Sequence, residues 1–217
     1  RDAEAGLLAL HVPARLERPQ ARLTGREAIE GKPVEERLRY EASSYLNYRL
    51  APELNLGLRG RALALPEKGN NAARTLAEQW QARLADPADR ARAALTLFRQ
   101  APFYYTLDPP PLGPNGIDDF LFNTRRGFCE HYAGAFVFLM RAAGVPARVV
   151  TGYQGGETNP LGDYLIVRQA DAHAWAEIWL ADRGWVRIEP TAAVAPERIE
   201  DGAAAALDYG TTARRAR

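Results

Sequence analysis

Apolar residues recur with two different periods along this chain, and the change of period divides it. In 34-VEERLRYEASSYLNYRL-50, Val34, Leu38, Tyr40 and Ala42 fall on one face of an extended segment, the alternation of a half-buried β-strand. Pro13, Pro19, Gly25, Gly31 and Pro33 punctuate the residues before it, so short strands and turns are expected up to about residue 60. After Pro66 the period becomes helical. Ala73, Leu76, Ala77, Trp80 and Leu84 make one stripe, with Asn70 or Asn71 as N-cap. Ala91, Ala94, Leu95 and Phe98 make a second, where Asp86 caps and Pro87 takes the first helical position. The proline-rich run 102-PFYYTLDPPPLGPNG-116 cannot continue that helix and is expected to be a loop.

A third helix is expected over 128–143, an apolar run broken by Gly144 and Pro146. Beyond it the alternation returns in 147-ARVVTGYQ-154, 163-DYLIVRQ-169, 172-AHAWAEIWL-180 and 184-GWVRIEP-190. A helix followed by an antiparallel meander makes the class α+β. The expected division is a β-rich segment over 1–60, a main domain over 61–200 and a flexible tail over 201–217, Ala/Gly-rich and poor in large hydrophobes.

Composition narrows the function classes. The formal net charge of +1 gives no electrostatic reason to propose a nucleic-acid partner. A single cysteine excludes an intrachain disulfide framework and a Cys-only zinc site. No run approaches the ~18 apolar residues of a membrane span, and the opening RDAEAGLLAL has neither a leader pattern nor an initiating Met. We therefore expect a piece cut from a longer protein.

The single cysteine lies in 126-RGFCEHYAGAFVF-138. Three readings of Cys129 compete. It can be a small core residue. It can be a metal ligand, although Cys129 and His131 lack the helical spacing of three or four. Or it can be a nucleophile: the helical pattern starts after Gly127, which puts the thiol in the first turn, where the helix dipole favours a thiolate. A nucleophile needs a base. His173 is the candidate, on a strand face with Trp175, Glu177 and Trp179, while Ala172, Ala174 and Ala176 make the other face. Spacing alone leaves His173 open between a core residue and a base.

Taken in order, 127-GFCEHYAGAFVFLMRAAGVPARVVTGY-153, 171-DAHAWAEIWL-180 and 184-GWVRIEPT-191 resemble the bacterial transglutaminase-like superfamily, over roughly residues 60–200. The segments 105-YTLDPPPLGPNGIDDFLFNTRRGFCEHYA-133 and 195-APERIE-200 are similar to the narrower TgpA-type group, inner-membrane proteins of bacteria with a periplasmic transglutaminase domain. The resemblance implies a papain-like cysteine fold, a triad mapping onto Cys129, His173 and Glu189, and calcium-independent action without cofactor or metal. The implied partner is a protein or peptide supplying a glutamine as donor, with an amine as acceptor. The implied setting is the periplasm, in a membrane-anchored whole to which the basic 213-ARRAR-217 would lie close. Hydrolysis (a peptidase, amidase or deamidase) and a non-catalytic peptide-binding module are the alternatives.

The family commonly has Asp where this chain has Glu189, in W-x-x-x-D-P-T. The substitution keeps the charge and adds a methylene. A turn at 182-DRG-184 ending on a left-handed glycine would set Glu189 opposite Glu177, about 13 Å from His173. Contact with His173 thus calls for a longer loop or a bulge around 179–184. Asp171 is the alternative orienter. Glu130 and His131 turn away from the face of Cys129 and are read as first-turn charge and local hydrogen bonding. Tyr104, Tyr105 and Asn115 are candidates for a second oxyanion donor. Trp175, Trp179 and Trp185 are read as packing residues, one of them near an acyl channel. Arg125 and Arg126 are read as solvated charges, and Asp118 and Asp119 as turn formers.

Overall fold

The computed structural model describes residues 5–7, 13–17, 21–24, 27–30, 38–45, 49–51, 53–162 and 164–197. The chain divides into two compact units, Arg1–Arg49 and Leu50–Arg217. In the first, β1 (Ala5–Leu7), β4 (Glu27–Glu30) and β3 (Ala21–Thr24) form an antiparallel sheet in the order β1-β4-β3. There β2 (Pro13–Leu16) pairs with β5 (Ala42–Ser44), with a register shift between Pro13 and Arg15. Of the alternating run 34–50, the described residues contribute only β5 to a strand; Val34 and the tail 201–217 lie outside the described residues.

The strand reading fails before residue 60, because α1 (Leu56–Leu63) is a helix capped by Asn55, whose side chain accepts from the N–H of Leu58. Next come α2 (Asn71–Arg83) and α3 (Pro87–Gln100). The α3 start is as the sequence dictates: Asp86 accepts from the Ala88 N–H at 2.8 Å and Pro87 opens the helix. Asn70 holds the N-cap place of α2 in a left-handed conformation (φ 53°) and does not cap its own helix. Its Oδ1 accepts instead from Ile117 and Asp118 N–H groups, while the Asp118 carboxylate accepts from Ala72 and Ala73.

Inside the expected loop, β6 (Tyr104–Tyr105) pairs in parallel with β7 (Arg126–Gly127). Between them α4 (Gly116–Asp118) runs into a π-helical turn, Asp119–Thr124, closed by the Arg125 N–H on the Phe120 carbonyl. The central helix, α5 (Cys129–Ala142), is apolar nearly all round and is packed on both flanks. Tyr132, Phe136, Leu139 and Met140 meet Phe98, Phe103 and Phe120 in one core, with edge-on ring pairs Phe98–Tyr132 and Phe120–Tyr132 at 5.6 and 5.1 Å. Gly144 (φ 76°) ends α5: its N–H bonds the Arg141 carbonyl and the Val145 N–H reaches Met140, the two bonds of a Schellman close.

A three-stranded antiparallel sheet in the order β12-β11-β8 covers α5, built from β8 (Ala147–Tyr153), β11 (Ala172–Leu180) and β12 (Gly184–Ile188). Ala176 and Ile178 of β11 join the α5 core. The expected strand 163–169 does not enter this meander. Only β10 (Leu165–Ile166) forms there, pairing with β9 (Glu157–Thr158) as a separate arm between β8 and β11. Together these elements make an α+β core, the Cys129 helix packed on an antiparallel sheet, as the sequence led us to expect.

Candidate active site

Cys129 is the first residue of α5, and Gly127 makes that position possible. A Cβ on Gly127 would lie 2.6 Å from His131 Cβ and 3.0 Å from Phe120 Cε2, so any side chain there would push the helix start away. The thiol is buried beside Ala133 and Ala174. His131 does what its position suggested: its ring lies against Phe120 and Phe128, and Nδ1 accepts from the Phe128 N–H at 3.4 Å. Burial moves its pKa below the ordinary histidine value, against the opposing pull of Glu130, which stands exposed on the same turn.

His173 sits at the start of β11, paired with Gly152 of β8. Its side chain is fully buried, and Nε2 lies 2.9 Å from Glu189 Oε2. Nδ1 is also buried and has no oxygen or nitrogen partner, so the ring nitrogen left to the thiol is Nδ1. Burial alone would lower the His173 pKa; hydrogen bonds with Cys129 and Glu189, and their negative charge, overcome it and raise the pKa above 6.5. The imidazole can thus carry a proton between a thiolate and a carboxylate.

Glu189 reaches His173 without the expected long loop or bulge. The β11–β12 ladder is regular, with Leu180 opposite Gly184 and Ala176 opposite Ile188. The turn is Ala181–Arg183, one residue earlier than expected, with Gly184 left-handed at φ 74°. Carried one residue past its last pair, that register sets Glu189 opposite Trp175. His173 is then the diagonal neighbour on the same face, within reach of a long side chain. The other candidate, Asp171, turns its carboxylate to the Arg168 N–H at 2.8 Å.

Arg187 completes the site, and sequence reasoning missed it. Its Nε donates to Glu189 Oε1 at 2.7 Å, and a terminal nitrogen donates to Gln154 Oε1 at 2.7 Å. The guanidinium lies 4.1 Å from the Trp175 ring centroid. Trp175 in turn lies beside His173, ring centroids 6.2 Å apart and nearly parallel. Two further tryptophans of this sheet sit opposite each other, Trp179 against Trp185, and Trp179 Nε1 donates to the Ala51 carbonyl. Of the oxyanion candidates, Asn115 spends its Oδ1 on the Asn70 N–H. Tyr104 and Tyr105 flank β7, the segment leading into Cys129. Asp119 accepts from the Gly113 N–H, and Arg125 donates to the Leu121 carbonyl.

Residues 74–190 match the family model described as the transglutaminase-like superfamily. The chain belongs to that superfamily. It is 52% identical over 176 residues, 81% of its length, to a Pseudomonas aeruginosa protein named protein-glutamine gamma-glutamyltransferase. It is 33% identical over 138 residues to YebA, an uncharacterised protein of Bacillus subtilis. It covers only 26% and 19% of those two relatives. Among solved structures, it superposes on the periplasmic domain of TgpA from P. aeruginosa with a TM-score of 0.87 and 48% identity. The match covers 91% of this chain and 68% of that one. The same domain bound to ethylmercury gives 0.86. The transglutaminase-like chain described here is therefore the structural counterpart of a periplasmic domain. Among its described residues no helix is long and apolar enough to cross a membrane.

Proposed function

We propose that this chain is the catalytic domain of a cysteine acyltransferase that moves the γ-glutamyl group of a protein glutamine onto an amine. The Cys129 thiolate adds to the carboxamide carbon, and the oxyanion that forms is held at the positive end of α5. The imidazolium of His173 gives its proton to the departing ammonia, leaving a thioester on Cys129. An amine then attacks the thioester carbonyl. His173 takes the amine's proton, the C–S bond breaks, and the product is an isopeptide with the thiolate restored. Glu189 holds Nε2–H, fixing the tautomer in which Nδ1 faces the chemistry, and stabilises the imidazolium.

One observation carries this reading: a fully buried imidazole is bound to Glu189 through Nε2 at 2.9 Å, with Nδ1 left buried on its other side and the Cys129 thiol among the groups that raise its pKa. The Pseudomonas relative's name supports the acyl transfer, and the TgpA match supports a periplasmic setting, with the whole protein anchored in the inner membrane. The donor and acceptor are borne by proteins or peptides, nucleic acid has no part, and no calcium or other cofactor is required.

The test is mass spectrometry of glutamine peptides incubated with the protein, with and without a primary amine, and with a chelator throughout. A mass gain equal to amine minus ammonia, lost in C129A, is the expected result. Replacement of NH2 by OH even with amine present would make water the acceptor and the protein a deamidase. No acyl-enzyme and no change in C129A would reduce the domain to a peptide-binding module.

A further inference from the structure

We propose that Arg187 is a positioning residue, clamping the Glu189 carboxylate so that a single oxygen, Oε2, is presented to His173 Nε2. The inference rests on the reading of His173 as the base of Cys129. Its ground is a division of labour between the two carboxylate oxygens. Oε2 goes to His173 at 2.9 Å, and Oε1 goes to Arg187 Nε at 2.7 Å, with a second contact from the guanidinium to the same oxygen.

The need for a clamp follows from the residue itself. Glu has one more rotatable bond than the Asp common at this place in the family motif, and it reaches His173 diagonally beyond the last pair of the ladder. Left free, it would populate rotamers that point to water. Arg187 suits the task because it is itself held at two points besides Glu189. Gln154 Oε1 accepts from its outer nitrogen. The Trp175 ring supports its plane. Glu177 stands directly opposite on β11, its buried carboxylate paired with Arg148. Gln154 is fixed in turn, since its N–H bonds the Asp171 carbonyl.

The charged groups around the imidazole are therefore Cys129 from α5, Glu189 and Arg187 from the β12 side, and the Glu177–Arg148 pair across the sheet. Asp171 is turned to the Arg168 N–H. Arg187 acts on His173 in two opposing ways. As a clamp it brings the carboxylate to Nε2 and favours the imidazolium; as a bare positive charge it weakens the same carboxylate. The sign of a pH shift separates them.

The measurement is the pH dependence of Cys129 alkylation by iodoacetamide, which needs no acyl donor, in the unaltered chain, R187M, Q154A, E189Q and R187M/E189Q. Loss of the clamp destabilises the imidazolium, so the low-pH limb of alkylation should move upward in R187M by about one pH unit. A smaller move in the same direction is expected for Q154A. E189Q should shift as R187M does, and the double variant no further than E189Q. Movement of the limb to lower pH in R187M, or no movement, overturns the inference. If R187M melts at working temperature, Q154A decides alone, because it removes the outer anchor and leaves Arg187 itself in place. Alkylation of the unaltered chain that titrates like an ordinary thiol, about pH 8.5, sinks the underlying reading instead, before any variant is compared.

Discussion

The indole of Trp175 lies over Gly152, so close that a Cβ there would stand 2.9 Å from Cη2 and 3.1 Å from Cζ3 of the ring. Gly152 is also the residue paired with His173 on β8. The absent side chain makes room for a ring that adjoins His173 on one side and carries Arg187 on the other. We expect G152A to displace the indole. A loss of about 1–3 kcal/mol in urea unfolding is the usual scale of such overpacking, and under the proposed function kcat for amine incorporation should fall with it. Unchanged stability and unchanged kcat would show that the ring has room to spare.

Removing the charge of Glu189 has a pH signature. The folded His173 pKa is raised above 6.5, burial opposing and Cys129 and Glu189 prevailing. A raised pKa in the folded state means that protonation stabilises the fold. That stability is complete below the unfolded histidine value and is lost as pH climbs through the folded one. E189Q should therefore be less stable than the parent by most at slightly acidic pH, and the gap should close as the solution becomes alkaline. Urea unfolding of both chains between about pH 5.5 and pH 9 checks it. A gap that stays constant or widens with pH would contradict the assigned sign.

The parts of the site that could be read in advance were those with local signals. Cys129 follows a glycine at a helix start, and Asp86-Pro87 opens α3 by chemistry confined to three residues. The shared face of His173 and Glu189 followed from the three-residue turn expected at 182–184, whose odd length keeps two odd-numbered residues on one face. Their register did not, since turns one residue apart preserve the face while moving Glu189 along β11 by two positions. Arg187 was invisible because an arginine on a half-exposed strand position has the same pattern whether solvated or clamped. Its partner Gln154 lies 33 residues away. In 163–169, Leu165 and Ile166 carry a strand propensity, but their pairing partners are in the arm and not in the main sheet. Asn70 is ambiguous by nature, being both a capping residue and one that tolerates the left-handed conformation.

Glu177 presents the opposite case, a carboxylate buried where the sequence shows only alternation. It is 2% exposed and bound to Arg148 at 2.9 Å, and Arg148 lies 4.0 Å from the Trp185 ring centroid. Truncating the arginine leaves a buried charge short of its partner, so R148M should destabilise the fold by about 3 kcal/mol. In the double variant R148M/E177L both charges are gone and much of that loss should return. Urea unfolding of the two single variants and the double tests the coupling. A double variant no more stable than R148M would mean that Glu177 is held chiefly by a partner other than Arg148.

The exchange between Asn70 and Asp118 predicts a second coupling, remote from the chemistry but tied to the core. Asn70 supplies the acceptor for α4, and Asp118, on α4, supplies the acceptor for α2. Gly69 (φ 90°) has no room for a Cβ, which would fall 2.7 Å from Asn115 Oδ1, and that oxygen takes the Asn70 N–H at 3.0 Å. Each helix start is thus satisfied by the other, across more than 40 residues of chain. D118A removes a cap from two N–H groups of α2 and should lose about 1–2 kcal/mol. N70A loses its cap as well and must also hold an alanine at positive φ, so it should lose more. Because either change loosens the contact through which the other works, the double variant should lose less than the sum. A double-mutant cycle by urea unfolding gives the coupling. Strict additivity would mean that the two caps act independently, each on its own helix.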